Sequence, residues 1–181
     1  LNDIRVRQAI AHAIDRQAII DGAMFGFGTP IGTHFAPHHP AYVDLIATYP
    51  HDPARARALL ADAGQSDLKL TLKLPPPTYA RRGGEIVAAQ LKEAGITVEI
   101  IPVEWAQWLE QVFRGTDYDL TIVSHTEPVD IGIYARDTYY FNYDSPSLKA
   151  LMARLNNTSD QAARNRILGQ AQRTITSDSV S

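Results

Sequence analysis

The chain of 181 residues contains no cysteine. That excludes disulfide staples, thiolate metal sites and cysteine nucleophiles. It also contains no apolar run long enough to span a bilayer. A dominant sign of charge is missing too. Lys and Arg number 17 and Asp and Glu 20, a net of -3, which is too small and too mixed for a nucleic-acid surface. There is no Gly-x-Ser-x-Gly elbow, phosphate loop or dinucleotide fingerprint. Gly26-Phe27-Gly28 is too short, and it lacks a strand before it and a helix after it. No cofactor is implied. What remains is an ordinary globular composition, 45% hydrophobic and 20% charged, long enough for one domain with a real core or at most two small ones.

Apolar periodicity gives the elements. Val6, Ile10, Ile14 and Ala18 recur at four-residue steps and predict one helix from Asn2 to Asp21, with Gly22 as its stop. The sequence opens inside this helix without a methionine, which predicts a piece of a longer protein. Residues 22–50 are broken by Gly26, Gly28, Pro30, Gly32, Pro37, Pro40 and Pro50 and read as irregular. Asp52-Pro53 starts a helix that Gly64 ends. Leu68 to Leu74 alternates as a strand, a helix runs from about Arg81 to Ala94, and Ile96 to Val103 is a second strand. Trp105 to Arg114 is a short helix, and Tyr118 to Ser124 a third strand, apolar enough to be central. After an irregular stretch, Pro146 and Asp160 open two last helices. Strand, helix, strand, helix, strand with long connections predicts an α/β fold with a small, mostly parallel sheet flanked by helices.

Five stretches, in order, resemble a known family. They are Val6-Arg7-Gln8-Ala9-Ile10-Ala11-His12-Ala13-Ile14-Asp15-Arg16, the Tyr49–Gly64 helix with its Leu59-Leu60 and Ala63-Gly64, the Gln90-Leu91 to Gly95-Ile96-Thr97-Val98-Glu99-Ile100 turn, Trp105 through Asp119-Leu120, and Asn142-Tyr143-Asp144-Ser145-Pro146. Together they are similar to bacterial extracellular solute-binding proteins of the peptide/nickel class, family 5. The resemblance implies a type II periplasmic-binding-protein-like lobe, the second of two, with residues 1–181 as a single lobe. It implies capture of a small solute, most often a peptide, by hinge closure against a missing first lobe. The partners implied are that lobe and the membrane subunits of an ABC importer. The place implied is periplasmic or extracellular, membrane-associated through the transporter. Neither enzyme activity nor nucleic-acid binding is implied.

The segment 125–145 follows the third strand, and open α/β sheets bind ligands beyond the carboxyl ends of their strands. In the family an aspartate there pairs with the ligand's ammonium group, and Asp130 matches it best. The family's Trp-x-x-Asp pattern is replaced here by Ser124-His125-Thr126-Glu127. Glu127 and His125 are the further polar candidates, with the alternative that both acids are solvated loop residues. Tyr134, Tyr139 and Tyr140 suit either a cleft wall or the core, while Phe141 and Tyr143 are expected in the core. Trp105 is a possible wall, with Trp108 on the same helical face. Arg81 or Arg82 could meet a ligand carboxylate. His34, His38 and His39 lie in a proline-rich loop with no acid before Asp44, a poor setting for a metal. The rival reading is a metal-dependent hydrolase using His125, Glu127 and Asp130.

Overall fold

The opening amphipathic stretch is broken in two. A computed structural model describes residues 1–125 and 130–180, and in it helix α1 spans Ile4–Ala13 and α2 spans Arg16–Met24. Ile14 and Asp15 between them are extended. Asp15 is the cause, because its carboxylate accepts the Ala18 N–H at 3.1 Å and caps the second helix. The break is also held from outside. The Asp15 N–H donates to Gln90 Oε1 at 3.1 Å, and Gln90 Nε2 donates back to the Asp15 carbonyl at 3.4 Å. Gly22 is not a stop, since α2 runs through it to Met24; a Cβ there would lie 2.5 Å from Ile86 Cδ1. The helix ends two residues later, with Phe25 in the left-handed region at φ 54°.

The chain divides into two compact units. The first is Leu1–Pro30 with Tyr49–His125. The second is Ile31–Thr48 with the described residues after 125.

In the first unit, α3 (Pro53–Asp62) starts as expected, with the Asp52 carboxylate accepting the Arg55 N–H at 2.8 Å. Strand β1 is Lys69–Leu74, α4 is Thr78–Glu93 and β2 is Thr97–Pro102. Helix α4 begins three residues before the expected Arg81, directly after Pro77. Gly95, at φ 92°, makes the turn from α4 into β2. A single helical turn, α5 (Trp105–Gln107), runs into a π-helical stretch at Trp108–Arg114, and β3 is Leu120–Thr121.

All the pairing among the described residues is parallel, in the order β2-β1-β3. Leu72 faces Ile100 on one side and Leu120 on the other. The central strand is therefore β1. The third strand, expected to be central, is a two-residue edge. Leu120 in it and Ile122 just after it are only partly buried.

The two faces of β1 meet different chemistry. Leu70, Leu72 and Leu74 are buried in one core with Leu59 and Leu60 of α3 and Val87 and Leu91 of α4. On the other face Lys73 is 7% exposed, and its ammonium meets Asp117 at 2.9 Å. Beside it Trp108 Nε1 donates to Thr121 Oγ1 at 3.0 Å, and that hydroxyl donates to the Lys73 carbonyl at 2.7 Å. The alternation seen in the sequence thus separates an apolar layer from a hydrogen-bonded one.

Burial pushes the Tyr118 phenol from 10.0 up to about 12. The fold favours the neutral phenol, so above pH 10 the unfolded chain ionises first. Stability attributable to this group is present below pH 10 and is lost as pH rises towards 12. Tyr118→Phe is expected to flatten that alkaline loss, read as the difference between urea midpoints at about pH 9 and about pH 11.

In the second unit, α6 (Pro146–Asn156) and α7 (Gln161–Ser177) pack as a helical pair. Ser145 and Asp160 cap them through their side chains. A 3-10 turn at Ile131–Ala135 leads towards α6. The core joins Leu148, Met152 and Leu155 of α6 with Ile167, Leu168 and Ala171 of α7, and adds Phe35 and Ala41 from the segment 31–48. Gln172 of α7 is fully buried and anchors that segment. Its Oε1 accepts from Thr33 Oγ1 at 3.0 Å and from the Val43 N–H at 3.3 Å, and its Nε2 donates to the Ala41 carbonyl at 2.6 Å.

Candidate functional site

The expected residues fall in both units. In the first, the carboxyl ends of the strands carry Pro75–Pro77 after β1, Trp105 after β2 and His125 after β3. Connections leave β1 towards β2 and return past β1 to β3, so the strand order reverses at β1, the place where open α/β sheets present a crevice. Trp105 is 43% exposed, with its ring edge-on to the buried Trp108 at 5.8 Å. His125 is exposed. Next to it the Ser124 N–H donates to the Tyr79 hydroxyl at 2.9 Å, tying the end of β3 to the start of α4. The arginines that were candidates for a ligand carboxylate have other contacts. Arg81 meets Glu104 at 3.3 Å, and Arg82 lies over the Phe25 ring at 5.1 Å.

In the second unit Asp130 immediately precedes the 3-10 turn, whose Ile133 N–H donates to the Asp130 carbonyl at 2.8 Å. The Asp130 carboxylate does not cap that turn. It meets His34 instead, with Nε2 and Oδ1 at 2.7 Å, and the two side chains are only 11% and 13% exposed. An ionised carboxylate can only accept, so His34 carries a proton on Nε2. The imidazole is held edge-on by Phe35 at 5.3 Å and by Tyr134 at 5.4 Å. Phe35 is buried and stacks on His39 at 3.9 Å.

The tyrosines divide. Tyr134 and Tyr140 are buried at 7% exposure, and Tyr139 is half-buried. Tyr134 stacks on Phe141 at 4.9 Å, and Arg136 lies over the Tyr139 ring at 4.9 Å. Phe141 and Tyr143 are partly buried against the second core, in keeping with their expected packing role. Lys149 bridges Asp144 at 2.7 Å and Asp137 at 2.9 Å. Those hydrogen bonds raise the Lys149 ammonium above its ordinary range, and Lys149 in turn lowers the Asp137 carboxyl.

Glu127 lies outside the described residues. Among those described, no group of three or more His, Cys, Asp or Glu gathers to hold a metal, and no helix is long and apolar enough to cross a membrane. Sequence reasoning missed the His34–Asp130 pair. Its members stand 96 residues apart, and no spacing or periodicity signals such a contact.

Comparison with known proteins is decisive at the level of family. The family model described as bacterial extracellular solute-binding proteins, family 5, middle region, matches residues 1–147. The chain belongs to this family. Among relatives, it is 31% identical over 121 residues to the dipeptide-binding protein of Escherichia coli, covering 64% of this chain and 23% of that one. It is 28% identical over 192 residues to the probable di/tripeptide-binding protein 5 of Pseudomonas aeruginosa, covering 97% of this chain and 36% of that one. The chain thus spans only 23% and 36% of the length of these two relatives. Among solved structures, the ABC transporter-associated periplasmic binding protein DppA from Helicobacter pylori, in complex with the peptide STSA, superposes with a TM-score of 0.85 at 25% identity, over 99% of this chain and 37% of that one. The small parallel sheet flanked by helices is therefore the α/β architecture of family 5 and of periplasmic binding proteins, as the sequence led one to expect.

Proposed function

We propose that this chain is part of the second lobe of a periplasmic receptor that captures short peptides and delivers them to an ABC importer. The observation that carries the reading is the family 5 match over residues 1–147, joined to relatives named for dipeptides and di/tripeptides. The short coverage of those relatives supports a first lobe carried by the rest of the full receptor. Ligand contacts made by both lobes favour the closed state, and only their differential affinity for that state moves the equilibrium. The role is capture and release, with no bond made or broken in the solute.

Asp130 is the proposed partner of the peptide's ammonium group. A carboxylate that is mostly buried and held by another side chain gives a stronger bond to a cation than a solvated one. Tyr134, Tyr139 and Tyr140, in the same unit as Asp130, are proposed as aromatic ligand contacts, and His125 and Trp105 are each proposed as a ligand contact at a strand end of the first unit. Glu127 is proposed as a second acid. The test is calorimetric titration of the full-length receptor with alanyl-alanine and with its N-acetyl derivative. The free-amino dipeptide is expected to bind, with the acetylated one weaker by about 10- to 100-fold, the usual worth of a hydrogen bond to a charged group. Equal affinity for the two, or no binding of either, overturns the reading.

A further inference from the structure

From the contact between two distant segments we infer that His34 is a positioning residue for Asp130, fixing the orientation of the carboxylate that receives the ligand's cation. The inference rests on the peptide-receptor reading above and assigns a role to a residue outside the proposed contact set.

Three observations carry it. The Nε2–Oδ1 contact of 2.7 Å is short, charge-assisted and mostly buried, so solvent competes for it little. The ring that makes it is itself fixed, being held edge-on by Phe35 and Tyr134, both buried. Rotating the imidazole away would disturb rings already stacked on His39 and Phe141. Finally, the backbone behind His34 is anchored. Gly32 passes so close to Leu45 that a Cβ would lie 2.3 Å from its carbonyl carbon, and Gln172 binds Thr33 and Val43.

The Asp130 carboxylate leaves the backbone just before a turn that it does not cap. The bond from His34 to Oδ1 is a mostly buried restraint on its orientation. Binding then loses less side-chain entropy, because the acceptor is already aimed when the ligand arrives. A structural purpose alone explains the pair less well. Mostly buried ionic pairs are often replaced by apolar residues at no cost in stability.

Two substitutions separate the hydrogen bond from the ring. His34→Phe keeps the edge-on packing and removes the donor. His34→Gln loses the ring and places an amide N–H near the position of Nε2. Each is made in the full-length receptor and titrated with alanyl-alanine and with N-acetyl-alanyl-alanine, and thermal melts confirm folding. In His34→Phe the affinity for the free-amino dipeptide should fall about tenfold, with the acetylated one unchanged, so that discrimination between them collapses. His34→Gln should restore most of that discrimination. If His34→Phe discriminates as the wild type does, or if His34→Gln loses as much as His34→Phe, the positioning role is overturned while the receptor reading stands. If the wild type binds neither dipeptide, the receptor reading fails first. Should both variants melt early, the ratio of the two affinities, which a loss of folded protein does not change, still decides.

Discussion

Gln172→Met is expected to lower the stability of the chain by about 4 kcal/mol, the sum of two or more buried polar groups left without partners. Methionine has the length of glutamine and no hydrogen-bonding atoms, so little cavity is created. The loss therefore reports hydrogen bonds rather than volume. In the native chain the amide of Gln172 is fully buried and nearly saturated. It accepts from Thr33 and Val43 and donates to the carbonyls of Ala41 and Leu168. The Leu168 carbonyl lies in the same helix, and the Thr33 hydroxyl can turn elsewhere. The Val43 N–H and the Ala41 carbonyl have no such escape, since both belong to an irregular segment without its own ladder. Urea denaturation monitored by near-ultraviolet circular dichroism in the tyrosine band reads the change. A loss under about 1 kcal/mol would mean that this side chain does not hold the segment 31–48 in place.

Gly32→Ala is the second large effect, at about 3 kcal/mol, the upper end for an added methyl group in a packed site. An ideal Cβ at Gly32 would lie 2.3 Å from the Leu45 carbonyl carbon and 2.4 Å from the Ile46 nitrogen. These are backbone atoms, and they cannot rotate aside as a leucine methyl can. The Gly32 carbonyl also accepts from Thr176 Oγ1 at 2.9 Å, which ties the residue to α7. Relief of the clash must separate two passes of the same loop. His34 is two residues on, so the change should also weaken its contact with Asp130. Gly26→Ala serves as a control for the methyl group itself, because a Cβ there meets nothing within 4 Å, although its φ of 79° makes some strain unavoidable. A Gly32→Ala midpoint matching that of the wild type would show that the loop passes are not in contact.

These two residues also show what the sequence could and could not disclose. The helix starts at Asp52-Pro53 and at Asp160 were legible because a capping side chain precedes the apolar stripe there, and capping is local chemistry. The alternating leucines of β1 were legible for the same reason. The break at Asp15 was missed because Ile14 continues the apolar stripe and masks the local Asp15 cap, and the bonds that reinforce the break come from Gln90, 75 residues away. The third strand was overrated because Leu120-Thr121-Ile122-Val123 is apolar, yet among the described residues it pairs on one side only, with β1. The segment 31–48 carried only glycine and proline signals. Its order comes from Gln172, which a helical pattern presents as one polar residue among apolar neighbours. Family membership was legible because it rests on motifs in series. The identity of the group facing Asp130 was not, since loop histidines carry no periodic signal.

Asp130 is proposed to receive the cationic end of a peptide. The most direct measurement is the alanyl-alanine titration repeated on the full-length receptor carrying Asp130→Asn, which keeps the shape of the side chain and removes its charge. The expected result is a fall in affinity of about 10- to 100-fold for alanyl-alanine and little change for the N-acetyl form. An Asp130→Asn receptor that binds alanyl-alanine as tightly as the wild type would contradict it.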